Sequence, residues 1–89
     1  MERKYNLINY FDVYKDSEGF WCVNDQCVER YDVTIADTAT NKDIVNYLMQ
    51  EGFLNTNDMR KLTVQEYGEN IEIYQKKDMI PLFGFVPAF

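Results

Sequence analysis

Residues 38–54 read TATNKDIVNYLMQEGFL, and this stretch decides the fold. Thr40 or Asn41 can turn a side-chain oxygen onto the free N–H groups of a helical first turn. Asp43 stands where it can return the bond and where a negative charge suits the helix dipole. Gly52 supplies the stop, because glycine enters the left-handed conformation that closes a helix without a Cβ penalty. Between these signals Ile44, Val45, Tyr47, Leu48 and Met49 gather on one side at about 100° per residue, with Lys42, Asp43, Asn46 and Gln50 on the other. The apolar arc, about 200° wide at this spacing, needs a surface to pack on. The rest of the chain must supply it as strands.

Just upstream, VERYDVTI (28–35) alternates, with Tyr31, Val33 and Ile35 on one face and Arg30, Asp32 and Thr34 on the other. It reads as a half-buried strand running into the helix. Further back, YNLINYFDVY (5–14) puts Leu7, Phe11 and Val13 on one face and Ile8, Tyr10, Asp12 and Tyr14 on the other, apolar on both sides as in a central strand. KDSEG (15–19) carries turn chemistry and leads as a hairpin into residues 20–23. A two-residue turn at Asn24-Asp25 would then set Cys22 opposite Cys27.

Downstream, NTND (55–58) is a polar loop, and residues 62–67 and 71–75 alternate around Gly68-Glu69-Asn70 as a second hairpin with one wet face. The chain turns again at Lys76-Lys77-Asp78. The last stretch, MIPLFGFVPAF (79–89), has no charged side chain, and Pro81 restricts it to an edge strand or to a strand that starts after the proline. The expected fold is α+β: one domain over residues 1–89, with a mostly antiparallel sheet of five to six strands in the order β-β-β-α-β-β-β. The single helix packs on one face. Ile44, Leu48, Tyr31, Val33, Ile35, Val64, Ile71 and Ile73 form its expected core.

Composition narrows the function. With 89 residues, two domains would each be too small for a core, and 46% hydrophobic content is ample for one. A net charge of −6 argues against direct nucleic-acid binding, whose affinity comes mainly from Lys and Arg displacing counterions. The start of the chain has no apolar run of signal-peptide length, and no stretch reaches the about 20 apolar residues of a membrane span, so a cytoplasmic location is expected.

Chemistry-bearing constellations are sparse. Histidine is absent, which removes the commonest general base and metal ligand. Cys22 and Cys27 form a C-x4-C pair without the further ligands of a zinc site, and read as reduced packing thiols, with a cross-strand disulfide as the alternative. Asp12, Asp16 and Glu18 surround the first turn but lack the ligand ladder of a calcium loop. Arg3-Lys4, Arg60-Lys61 and Lys76-Lys77 could contact phosphate only if the fold gathered them. No glycine-rich phosphate loop occurs. Neither catalytic residues, nor a metal site, nor a cofactor is expected.

Across residues 9–82, NYFDVYKDSEGFWCVND, YDVTIADTATNKDIVNYLMQEGFL and IEIYQKKDMIPLFGF resemble a group of short uncharacterised proteins of Gram-positive bacteria and their phages and mobile elements. That group shares a Phe-Asp-Val or Tyr-Asp-Val strand, an acidic turn ending in Gly, an aromatic followed by Val-Asn, a helix closing in Gly-Phe-Leu, and a final Pro-Leu strand. This chain differs at Ile35-Ala36-Asp37-Thr38, where the group has Pro-Asp-Asp, and in its two cysteines. The resemblance implies a small accessory protein of a phage or mobile element, with no catalytic residue to carry over.

Two functions are therefore expected in order. The first is a non-enzymatic module that binds a protein partner, a second copy of itself included, with the apolar terminal residues Ile80, Leu82, Phe83, Phe85 and Phe89 as its candidate surface, unless that stretch is a last strand packed under the helix. The alternative is an acidic anti-defence inhibitor of a host nucleic-acid-handling complex. It would present Asp12, Asp16, Glu18, Asp25 and Glu29 where phosphates would sit.

Overall fold

The computed structural model describes residues 1–10, 13–24 and 28–88. Its one helix, α1, spans Asn41–Gln50 and is bounded by the signals in its sequence. Thr40 is the N-cap: its Oγ1 accepts from the Asp43 N–H at 3.2 Å, and an Asp43 carboxylate oxygen accepts from the Thr40 N–H at 2.9 Å. At the far end Gly52 has φ +83°, the Gly52 N–H donates to the Met49 carbonyl and the Phe53 N–H to the Leu48 carbonyl, a Schellman closure. Ile44, Val45 and Leu48 are buried, whereas Met49 is exposed, so the packed arc is narrower than its sequence suggests.

Seven strands accompany it among the described residues: β1 (Glu2–Tyr10), β2 (Val13–Lys15), β3 (Trp21–Val23), β4 (Val28–Ala36), β5 (Leu62–Tyr67), β6 (Asn70–Gln75) and β7 (Ile80–Pro87). Five form an antiparallel sheet ordered β4-β1-β7-β6-β5, and β2 pairs with β3 as a separate ribbon. Cross-strand partners share a face, so Val33, Tyr5, Pro87 and then Tyr31, Leu7, Phe85, Ile71 make rows beneath α1. The core joins Ile44, Val45 and Leu48 to Tyr5, Leu7, Val33, Ile35, Leu62, Ile71, Ile73, Phe83 and Phe85. Tyr5 meets Phe85 edge to face, with centroids 5.8 Å apart.

The α+β class, the single helix and the mostly antiparallel sheet are as expected, and three local expectations change. The stretch 5–14 is two strands, β1 and β2, separated by residues 11–12, which lie outside the described residues. Next, among the described residues β3 does not pair with β4. Cys22 faces Tyr14 on β2, and β4 reaches back to β1, where nine residue pairs make a far longer ladder. The expected Cys22–Cys27 register involves a residue outside those described.

Third, β7 is an interior strand despite Pro81. Its pairing with β1 starts only at Phe83, so Pro81 lies outside that ladder, and its register with β6 shifts between Ile73 and Tyr74, so Pro81 faces Tyr74 beyond the irregularity. Of the expected core, Tyr31 and Val64 are not fully buried. Tyr5, Leu7, Val45, Leu62, Phe83 and Phe85 join it.

Candidate interaction surface

The structure first relocates the expected sites. Phe83 and Phe85 are 3% and 0% exposed and belong to the core, which corrects their assignment to a partner surface: an interior strand directs them under the helix. Ile80 and Leu82 are half-buried, and Phe89 lies outside the described residues. Among the acidic candidates, Asp12 and Asp25 are likewise outside. Asp16 is used locally, since its Oδ1 accepts from the N–H groups of Glu18 and Phe20, both at 2.9 Å, and shapes the β2–β3 turn. Glu18 is exposed in the same turn, and Glu29 stands on β4 in the other sheet.

Two of the three basic runs do gather. The Lys76 N–H donates to the Lys61 carbonyl at 2.9 Å, and Arg60, Lys61, Lys76 and Lys77 line one shallow depression. Arg60 is committed to Asp58 through paired bonds of 3.0 Å, which hold the Asp58 carboxyl down at about 2. Arg3 is elsewhere, bonded to the Tyr5 hydroxyl. A depression of about 760 Å³ lies between the loop after α1 and the end of the sheet, and among the described residues Lys61 is the one charged residue that lines it. Among the described residues no cluster of His, Cys, Asp and Glu could hold a metal, and no helix is long and apolar enough to cross a membrane.

The sheet face away from α1 is half-wet and aromatic. An added Cβ at Gly84 would come within 2.5 Å of the Tyr10 hydroxyl, so glycine is what lets that ring lie across β7. Tyr74 donates to Glu72 and Tyr67 to Gln65; burial, then the Glu72 bond, pushes the Tyr74 hydroxyl pKa up.

The edge of the sheet offers recognition of a more directional kind. β4 is outermost, nine residues long, with an unbroken register to β1 and no proline or glycine. The Asp37 N–H donates to the Met1 carbonyl, and the Ala88 N–H to the Lys4 carbonyl. Backbone direction alternates along an antiparallel strand. The odd-numbered residues of β4 therefore bond β1, and Val28, Arg30, Asp32 and Thr34 aim their N–H and C=O groups outward.

Glu29, Arg30, Tyr31, Asp32 and Thr34 are all exposed. Tyr31 is fixed from two sides: its hydroxyl donates to Glu29, which raises its pKa, and its ring lies 5.0 Å from that of Phe53. Arg30 and Asp32 stand on the face opposite the helix, and neither has an ion-pair partner among the described residues. The sequence marks this strand, but its position at an edge follows from the long-range β1–β4 pairing. The one signal available in advance is the density of charge on a β-strand.

Set against family models, curated proteins and solved structures, the chain has no match. An open strand edge with alternating charge presents backbone N–H and C=O groups with which another strand could pair.

Proposed function

We propose that this chain is a non-enzymatic interaction module that binds a protein partner by strand addition at the outer edge of β4. The observation that carries the reading is the row of outward backbone groups at Arg30, Asp32 and Thr34, on a long strand without the prolines or bulges that usually blunt an edge. Main-chain bonds would supply affinity, and the exposed side chains on either side would supply selectivity. The resemblance of residues 9–82 to short proteins of phages and mobile elements supports an accessory role in a bacterial cytoplasm.

Asp32→Pro tests this cleanly, because the N–H it removes points outward, where an edge strand tolerates proline. Affinity capture from a Gram-positive lysate should recover a protein with the wild type and lose it with Asp32→Pro, while circular dichroism of the two remains alike. Equal recovery of the same protein by a folded Asp32→Pro chain contradicts the reading.

A further inference from the structure

Resting on the strand-addition reading, we infer that the partner strand is β4 of a second copy, paired antiparallel about a two-fold axis at Tyr31, with Arg30 of each copy opposite Asp32 of the other. The argument begins with backbone direction. Only even-numbered residues of β4 present outward N–H and C=O groups, so a second β4 can pair only even residue with even residue.

Symmetric registers centred on any residue of β4 satisfy that requirement, and they differ in which charges they set opposite each other. One centres on Arg30 and sets two arginines face to face. Another centres on Asp32 and sets two aspartates face to face. The register centred on Tyr31 instead places Arg30 against Asp32 twice, and Val28 against Thr34 twice. Opposite charges across a ladder are favourable and like charges are not, so the sequence VERYDVT favours the Tyr31-centred register, which alone sets Arg30 opposite Asp32.

The pairing would join two five-stranded sheets into one, with about eight new backbone bonds. Tyr31 meets its own copy on the helix side of the sheet, in the closer-spaced, non-hydrogen-bonded position. The opposite edge carries no such complementarity. β5 reads LTVQEY, whose single charge, Glu66, can only repel itself or meet a neutral residue.

Sedimentation equilibrium of the full chain, from micromolar to millimolar concentration at low salt, tests this. The wild type should dimerise, and Arg30→Asp and Asp32→Arg should each weaken the dimer about tenfold or more, because both cross-strand pairs become repulsive. Mixing the two variants should restore association as a heterodimer, because each pair is then opposite in charge again. Circular dichroism of each variant alone confirms that it is folded.

A wild type that stays monomeric throughout overturns self-pairing, as does a mixture that remains monomeric or a dimer indifferent to all these changes. The broader reading fails separately, when capture of another protein is unaffected by Asp32→Pro.

Discussion

Phe85 shows how far a single side chain's surroundings depend on topology. It sits in an uncharged stretch near the end of the chain, with prolines at 81 and 87, yet it is fully buried against Tyr5 beneath α1. Phe85→Ala should cost about 3–5 kcal/mol, enough to threaten a domain whose whole stability is of the order of 5–15 kcal/mol. Ile80→Ala, at a half-buried strand start, should cost about 1 kcal/mol. Urea unfolding of the two variants checks this; equal small losses would contradict the interior placement of β7. Sequence legibility fails here for a physical reason. Pro81 signals an edge, but it lies beyond the reach of β1, so the strand it introduces is free to be central.

The elements divide by the range of the forces that make them. Local signals were sufficient for α1: Thr40, Asp43 and Gly52 stand at its ends as their chemistry requires, and the β2–β3 and β5–β6 hairpins turn at Gly19 and Gly68, both with positive φ. Pairing between distant strands was not legible, because β4 could as well have folded onto the nearby β3. Trp21 then anchors the small ribbon to the main sheet, its indole N–H donating to the Asp78 carbonyl at 2.9 Å in the β6–β7 turn.

The loop that leads into β5 has its own electrostatic brace, which makes stability depend on pH. Arg60 side-chain bonds, then its backbone N–H, lower the Asp58 carboxyl to about 2, below its ordinary value. A group depressed in the folded state stabilises above its unfolded pKa, and that contribution is lost as pH falls through the folded one. The urea midpoint of the wild type should therefore exceed that of Asp58→Asn near neutrality, and the gap should close as pH falls from about 4 to about 2. A gap that stays constant through that window would mean that the Asp58–Arg60 bonds contribute nothing.

At the scale of the whole molecule, one face of the sheet is consumed by the helix and the other is half-covered by its own tyrosines, so the outer edge is where directional bonding capacity remains. The candidate surfaces legible in the sequence moved accordingly. The apolar terminus gives Phe83 and Phe85 to the core, Asp16 is turn structure, and Arg30 and Asp32, by sequence the polar side of a half-buried strand, are the side chains that flank an open backbone. Their importance depends on which strand lies outermost, a property of the finished sheet. Amide hydrogen exchange resolved along β4 tests this most directly. At low concentration Tyr31, Val33 and Ile35, whose N–H groups bond β1, should exchange slowly, and Arg30, Asp32 and Thr34 should exchange fast. Raising the concentration should protect Arg30, Asp32 and Thr34 selectively, whereas fast exchange at all three that persists at every concentration would contradict the pairing of this edge with a second copy.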